Sequence, residues 1–207
     1  MNRRRHLSRF ILLLPLAGLS LAGCPFSPKH GGGSHDDSTG GYLARTTITN
    51  VLDNLKKSYK EKNYDQYVAL LNSSYSYIFD PSDAGKPGIP EAWGLADEKL
   101  SAQHMFGGEP NTEGYRIETI ELSLRAGDPE TSDEDPAWTK VVLSEVYLTL
   151  ETRHKDTGDP MTYRVEGDQA WLYFVQTDQK DPATKLKLWT IVLWKDKPKG
   201  HYLALSQ

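Results

Sequence analysis

The sequence predicts an α+β domain in which N-terminal helices pack on a strongly curved antiparallel sheet. Two observations lead to this prediction. Apolar residues recur every three or four positions over residues 48–59, and every second position in several segments beyond residue 117. Turn-forming Gly, Pro and Asp residues separate those segments. Helices followed by a run of strands are typical of a sheet that has helices on one face. Residues 42–207 contain no second linker, so we expect one domain with one core.

The helices are predicted from one periodic segment and two shorter ones. The first spans residues 48–59, and its apolar face consists of Ile48, Val51, Leu52, Leu55 and Tyr59. A threonine at position 46, 47 or 49 is expected to cap its start. A second, shorter helix is expected to have Asp65 as its cap. A third is expected over residues 95–106, before two glycines.

The strands are predicted from alternation and from β-prone residues. They are expected at residues 75–79, 117–124, 138–151, 163–176, 186–194 and 202–205. The segment 163–176 is either a strand pair or one long strand with a bulge near Gly167. Trp171 and Tyr173 share one face of this segment, while Leu172 and Phe174 share the other. The strand therefore lies centrally in the sheet, or one of its faces meets a partner, which includes a second copy of the chain.

The first 23 residues have the layout of an export signal. Four arginines precede an apolar run from Phe10 to Ala22, and no acidic residue lies among them. A helix of this length rises about 20 Å, which is too short to cross a hydrocarbon core of about 30 Å. The following Leu21-Ala22-Gly23-Cys24 resembles the lipobox of bacterial lipoproteins. The resemblance implies cleavage between Gly23 and Cys24 and fatty acyl chains, such as palmitate, on Cys24, which is the only cysteine.

This signal divides the chain and predicts its location. Residues 1–23 are the expected signal peptide, residues 24–41 a lipidated cysteine with a flexible glycine-rich linker, and residues 42–207 the folded domain. More than one acyl chain is needed for stable anchoring. The chain is therefore expected at a membrane of the bacterial cell envelope, outside the cytoplasm, with either the inner or the outer membrane left open.

Charge and motifs exclude several classes of partner. Removal of residues 1–23 leaves 20 basic residues against 28 acidic ones, a formal charge near −8. Nucleic acid requires a basic surface, so it is not an expected partner. The sequence contains no phosphate-binding glycine loop, no nucleophile-histidine-acid order and no paired metal-ligand motif. We therefore expect neither a cofactor nor a metal.

Several segments resemble a known superfamily. They are Val51–Leu55 with Tyr59, Lys62–Tyr67 with Leu70 and Leu71, Tyr77–Phe79, and Leu188–Asp196. Together they are similar to the cystatin-like cone fold shared by nuclear transport factor two, ketosteroid isomerase and SnoaL-like proteins. Trp93, Glu98, Met105 and Phe106 are similar to a pattern in secreted or lipid-anchored members. The resemblance covers about residues 44–207 and implies the fold.

The same resemblance says less about activity. Isomerases of this superfamily need a buried carboxylate base and an acidic donor pair that face one pocket. Asp80, before Pro81 at a strand end, is the nearest carboxylate to that role, and turn formation already explains it. A shared fold does not transfer chemistry.

Aromatic residues suggest a pocket inside the cone. The candidate lining residues are Tyr75, Tyr77, Trp93, Glu98, His104, Tyr147, Trp171 and Trp189. The alternative is that these rings fill the core. Glu98 is expected to brace the loop near Trp93, and His104 to be a half-exposed helix residue.

Three functions follow from these observations. The first is a non-catalytic binding or accessory domain for a small apolar ligand or an envelope protein. The second is a structural or assembly lipoprotein. The third is a SnoaL-like or isomerase-like enzyme that acts on a small apolar substrate.

Overall fold

The computed structural model describes residues 41–84, 86 and 89–197, except for the side chains of residues 165–168. The predicted signal peptide, Cys24, most of the predicted linker and the expected strand 202–205 lie outside the described residues. No helix in the described part of the chain is long and apolar enough to cross a membrane.

Three helices form where the sequence predicts them. They are α1 (Ile48–Glu61), α2 (Tyr64–Leu70) and α3 (Leu95–Gly107). The Thr47 hydroxyl caps α1 by accepting a hydrogen bond from the Asn50 backbone N–H at 3.1 Å. Asp65 does not cap α2, contrary to the prediction. Asn63 does so by accepting from the Gln66 N–H at 3.1 Å. Only Lys62 and Asn63 separate the two helices, so α2 begins earlier and Asp65 lies in its first turn.

Seven strands form one sheet among the described residues. They are β1 (Leu71–Ile78), β2 (Ala92–Gly94), β3 (Tyr115–Ala126), β4 (Glu130–Thr131), β5 (Thr139–His154), β6 (Pro160–Lys180) and β7 (Lys187–Lys197). The order is β2-β1-β7-β6-β5-β3, and β4 pairs with β5. The α+β class with helices on the sheet is confirmed. The sheet is mixed rather than wholly antiparallel, because β1 pairs parallel with β7.

The predicted 163–176 segment belongs to one long strand. β6 spans Pro160–Lys180 and pairs with both β5 and β7, so its predicted central position is confirmed. Its pairing with β5 shifts register between Leu143 and Val146 and again between Val146 and Leu148. Such irregularities bend a strand and increase its twist.

The main core lies between the helices and the inner face of the sheet. It contains the apolar face of α1 together with Leu150 of β5, Leu172 and Phe174 of β6 and Ile191 of β7. The opposite, outer face has a smaller apolar cluster of Tyr173, Val192 and Leu193. β6 therefore buries apolar residues on both faces, as its sequence predicts.

The acidic loop (residues 128–135) is held against this outer cluster. Asp133 accepts a hydrogen bond from the Tyr173 hydroxyl at 3.0 Å, and Glu134 pairs with Lys195. Lys140 lies 2.9 Å from Glu130. Trp138, three residues after the loop, packs edge-on against the Tyr173 ring. The chain thus covers part of the outer face with its own residues.

The cap of α1 can be tested directly. We expect Thr47→Ala to lower the free energy of unfolding by about 1 kcal/mol, because the Asn50 N–H loses its partner. Urea unfolding followed by tryptophan fluorescence measures this change. Thr49→Ala is the matched control, since Thr49 is exposed in the first turn. Equal effects of the two substitutions would contradict the assigned cap.

Candidate functional site

Three aromatic rings form a row across neighbouring strands on the inner face. Trp93 of β2 pairs with Tyr77 of β1, and Tyr77 pairs with Trp194 of β7. The Tyr77 ring centroid lies 5.5 Å from Trp93 and 6.1 Å from Trp194, where the two rings are stacked. Phe79 packs edge-on against Trp93 at 4.8 Å. We call Trp93, Tyr77 and Trp194 the aromatic row.

A carboxylate lies at each end of the aromatic row. The Trp93 indole N–H donates to Glu98 at 2.9 Å, and the Trp194 indole N–H donates to Asp196 at 3.1 Å. The Tyr77 hydroxyl donates to the other oxygen of Asp196 at 2.5 Å. Both acids are therefore tied to the rings by hydrogen bonds from aromatic side chains.

Glu98 is the most constrained of these groups. It belongs to the buried face of α3 and is 7% exposed. One of its oxygens accepts from the Tyr67 hydroxyl and the other from Trp93. Burial raises the pKa of Glu98, although the hydrogen bonds from Tyr67 and Trp93 act in the opposite direction. Both oxygens thus have donors, which suits a brace between α2, α3 and β2.

Tyr75 lies beside the same carboxylate. Its hydroxyl also acts to lower the pKa of Glu98, but it has no partner in hydrogen-bond geometry among the described residues. Burial, and next the charge on Glu98, hold the pKa of Tyr75 and of Tyr67 well above the ordinary value. These phenols therefore stay protonated, and Tyr67 donates its proton to a hydrogen bond with Glu98.

A cavity of about 230 Å³ lies at the other end of α3. It is lined by His104, Glu109, Pro110, Asn111, Tyr115, Ile117, Leu150, Thr152 and Tyr163. These residues come from the end of α3, the loop after it, and the adjoining parts of β3, β5 and β6. We call it the apolar cavity. Glu98 does not line it, so the cavity is separate from the aromatic row.

Two polar groups of the apolar cavity are used by the protein itself. The Asn111 side-chain oxygen accepts from the backbone N–H groups of Glu113 and Tyr115, at 3.0 and 2.9 Å. The Thr152 hydroxyl donates to the Met161 carbonyl at 2.8 Å. His104 and Glu109 are exposed, and they add polar groups to a wall that is otherwise apolar and aromatic. Apolar walls with few polar groups are typical of small-molecule sites.

The predicted pocket residues therefore divide into separate groups. Tyr75, Tyr77, Trp93 and Glu98 lie together, and His104 lies at the apolar cavity. Trp189 packs against the main core, and its backbone N–H donates to the Arg45 carbonyl.

The expectation of one shared pocket is wrong for Tyr147 and Trp171, because both side chains are on the outer face of the sheet. Tyr147 is 36% exposed, while Val146 and Leu148 on either side of it belong to or pack against the main core. Trp171 packs against the outer cluster, with Lys197 and Lys140 at 3.3 and 4.7 Å from its ring centroid.

Asp80 is the turn-former that the sequence predicts. It is 3% exposed, and its side chain accepts from the Ser82 backbone N–H at 2.7 Å and from the Ser82 hydroxyl at 2.6 Å. These local bonds are those of an Asx turn. The described residues include no group of three or more His, Cys, Asp or Glu side chains arranged to hold a metal ion.

Sequence reasoning missed several residues of these two regions. Asp196 follows Trp194 by two positions on a strand, so alternation places both on one face and indicated the contact. Tyr67 lies on the buried face of a helix only seven residues long, which is too short for a clear period. Tyr163 and Tyr115 line the cavity only because the strands bring them there, and no local pattern marks them.

Several solved structures are similar to this chain at low sequence identity. A conserved protein from Planctomyces limnophilus is 11% identical over 72% of this chain and 91% of its own, with a TM-score of 0.49. A nuclear-transport-factor-two-like protein of unknown function in nutrient uptake, from Rhodospirillum rubrum, is 13% identical over 74% and 98%, with a TM-score of 0.42. A cystatin-like protein of unknown function from Nostoc punctiforme is 9% identical over 74% and 90%, with a TM-score of 0.37.

No protein-family model matches the chain, and no curated protein matches it by sequence. At such identities nothing about activity passes from the solved structures to this chain. Function is therefore inferred from its own residues.

The buried carboxyl of Glu98 predicts a specific pH dependence. Its pKa is raised above the usual 4.5 by folding, so the folded state binds the proton more tightly than the unfolded state. Protonation of Glu98 contributes its full stabilisation of the folded state below the pKa that this carboxyl has in the unfolded state. The contribution is lost as the pH rises through the pKa of Glu98 in the folded state. Each unit of pKa difference is worth about 1.4 kcal/mol.

We expect Glu98→Gln to remove this loss of stability with rising pH. Urea unfolding of both proteins from pH 4 to pH 8 gives the difference between their free energies of unfolding. As the pH rises, the free energy of unfolding of the natural protein should fall relative to that of Glu98→Gln. Glu121→Gln is the control, because Glu121 is exposed. A difference that does not vary with pH would show that Glu98 has no raised pKa.

Proposed function

We propose that this domain binds a small, largely apolar molecule in the apolar cavity without transforming it. We further propose that acyl chains on Cys24 hold it at a membrane of the bacterial cell envelope, outside the cytoplasm. The apolar cavity is the observation on which the first proposal rests.

The size of the cavity supports a compact ligand. A dry apolar cavity of about 150 Å³ can bind benzene. The apolar cavity measures about 230 Å³, so a ligand with one or two fused rings suits it. Ile117, Leu150 and the two tyrosines Tyr115 and Tyr163 offer apolar and aromatic contacts to such a body. His104 and Glu109 then meet its polar end.

The two carboxylates beside the aromatic row support binding rather than catalysis. A general base needs a proton of the substrate within hydrogen-bond reach. Both oxygens of Glu98 accept from protein donors, and Glu98 is not part of the cavity wall. Asp196 is bonded to Tyr77 and Trp194 of the aromatic row. These acids are used to hold α2, α3 and the strands together.

The linker supports the anchoring proposal. Residues 25–41 are rich in glycine and polar residues, which is a composition typical of linkers between an anchor and a domain. The formal charge near −8 after removal of residues 1–23 gives no attraction to anionic lipid, so the acyl chains have to supply the affinity.

Binding can be tested with 2-naphthol, a neutral two-ring probe. The protein is the chain from residue 24 onward with Cys24→Ser, which removes the lipid. We expect Ile117→Trp to weaken 2-naphthol binding by at least about tenfold, since the indole fills the cavity. The dissociation constant comes from the quenching of naphthol fluorescence.

The matched control is Thr119→Trp, which adds the same indole at an exposed position of β3. It should leave binding unchanged. If the Ile117→Trp variant unfolds normally and binds 2-naphthol as tightly as the protein with Ile117, the probe binds outside the apolar cavity. Failure of 2-naphthol to bind at millimolar concentration would contradict the proposed ligand class.

Anchoring can be tested in bacteria that express the full chain. We expect Cys24→Ser to move the protein to the soluble fraction or to leave an unprocessed precursor, because the acylated thiol is lost. Fractionation and immunoblotting measure both outcomes. A mature-sized product that stays in the membrane fraction would contradict lipid attachment at Cys24. Ser27→Ala, in the linker, serves as the control.

A further inference from the structure

Polar side chains on the outer face of β3 and β5 are mostly paired with each other. Arg125 lies 3.2 Å from Glu145, and Arg153 lies 2.8 Å from Glu118. The Thr119 hydroxyl donates to Glu151 at 2.8 Å. These cross-strand pairs satisfy the charges of an exposed antiparallel face.

A depression between these pairs differs from them. It has a volume of about 320 Å³ and is lined by Glu121, Ser123, Tyr147, Thr149 and Arg164. The strand register explains the grouping, because Glu121 is opposite Thr149, Thr149 is opposite Arg164, and Ser123 is opposite Tyr147. We call it the outer depression.

Four of the five side chains in the outer depression are available to a ligand. No hydrogen bond or ion pair joins the side chains of Glu121, Ser123, Tyr147 or Thr149 to another described residue. Arg164 has an interaction of its own within the protein. A guanidinium has five N–H donors, so Arg164 can keep that interaction and still donate to a ligand.

We propose that the outer depression binds a saccharide. Tyr147 is the only aromatic residue among the exposed large apolar side chains of the described region, with 36% of its surface exposed. A sugar ring has an apolar C–H face that packs on an aromatic ring, and hydroxyls around its edge. Glu121 accepts from such hydroxyls, Arg164 donates to them, and Ser123 and Thr149 can do either.

Other occupants suit the outer depression less well. An apolar ligand would leave the Glu121 carboxylate without a partner, which costs binding energy. A peptide strand could pair only with the outer edge of β3 and not over the depression itself, because β5 is already paired on one side with β3 and on the other with β6. Recognition must then come from side chains, and their mixture of donors and acceptors matches a molecule rich in hydroxyls.

The test uses three neutral probes, chitotriose, maltotriose and cellotriose, with the same chain from residue 24 that carries Cys24→Ser. Saturation-transfer NMR at millimolar concentration detects binding, and titration gives the dissociation constant. We expect at least one probe to bind. Tyr147→Ala and Glu121→Gln should each weaken its binding by about tenfold, the first through loss of stacking and the second through loss of an acceptor.

Two matched controls distinguish this site from the rest of the molecule. Glu118→Gln neutralises another exposed carboxylate of β3 and should leave saccharide binding unchanged. Ile117→Trp fills the apolar cavity and should also leave it unchanged, so this test is independent of the 2-naphthol result.

Three results would overturn the proposal. The first is no saturation transfer to any probe. The second is binding that neither Tyr147→Ala nor Glu121→Gln weakens. The third is a concentration-dependent dimer in sedimentation that both substitutions disrupt, which would show that a second copy of the chain occupies this face.

Discussion

A carboxylate buried among aromatic rings must be hydrogen-bonded or neutralised, and Glu98 is subject to both demands. Its donors come from different parts of the fold, Tyr67 from α2 and Trp93 from β2, while Tyr75 of β1 lies beside it. Burial meanwhile raises its pKa. Loss of any donor would leave the charge less satisfied, so this residue fixes how α3 sits against β1, β2 and α2. The placement of the helices on the sheet depends on that contact.

This contact lies at the start of α3, whereas the apolar cavity lies near its end. Glu98 lies in the first turns of α3, where it meets the aromatic row, while His104 lies six residues later at the apolar cavity. Phe106 packs edge-on with Tyr59 and Tyr67 between the helices. α3 is therefore packed on both sides of His104, and well-packed elements position binding residues well. In the proposed function, the ligand enters beside His104.

Much of the fold follows from local patterns, while the site depends on features that no local pattern contains. The periodicity of Ile48 to Tyr59 predicts α1, and alternation predicts β3, because burial on one face imposes these periods. The parallel pairing of β1 with β7 joins segments more than a hundred residues apart, so nothing local indicates it. The sequence pattern also does not show on which face of the sheet Tyr147 lies. Leu143 and Val146 are both in the core despite their odd separation, because the register shifts between them.

That shift links the two proposed sites. Alternate residues of the same strands line them: Leu150 and Tyr163 face the apolar cavity, whereas their neighbours Thr149 and Arg164 face the outer depression. A slip of one residue in the register of a strand exchanges its two faces. The irregular pairing between Leu143 and Leu148 therefore decides which side chains reach each site. The acidic loop covers the outer cluster on β6 and β7. The part of the outer face that this loop leaves uncovered is formed by β3 and β5, on the opposite side of the sheet from the apolar cavity.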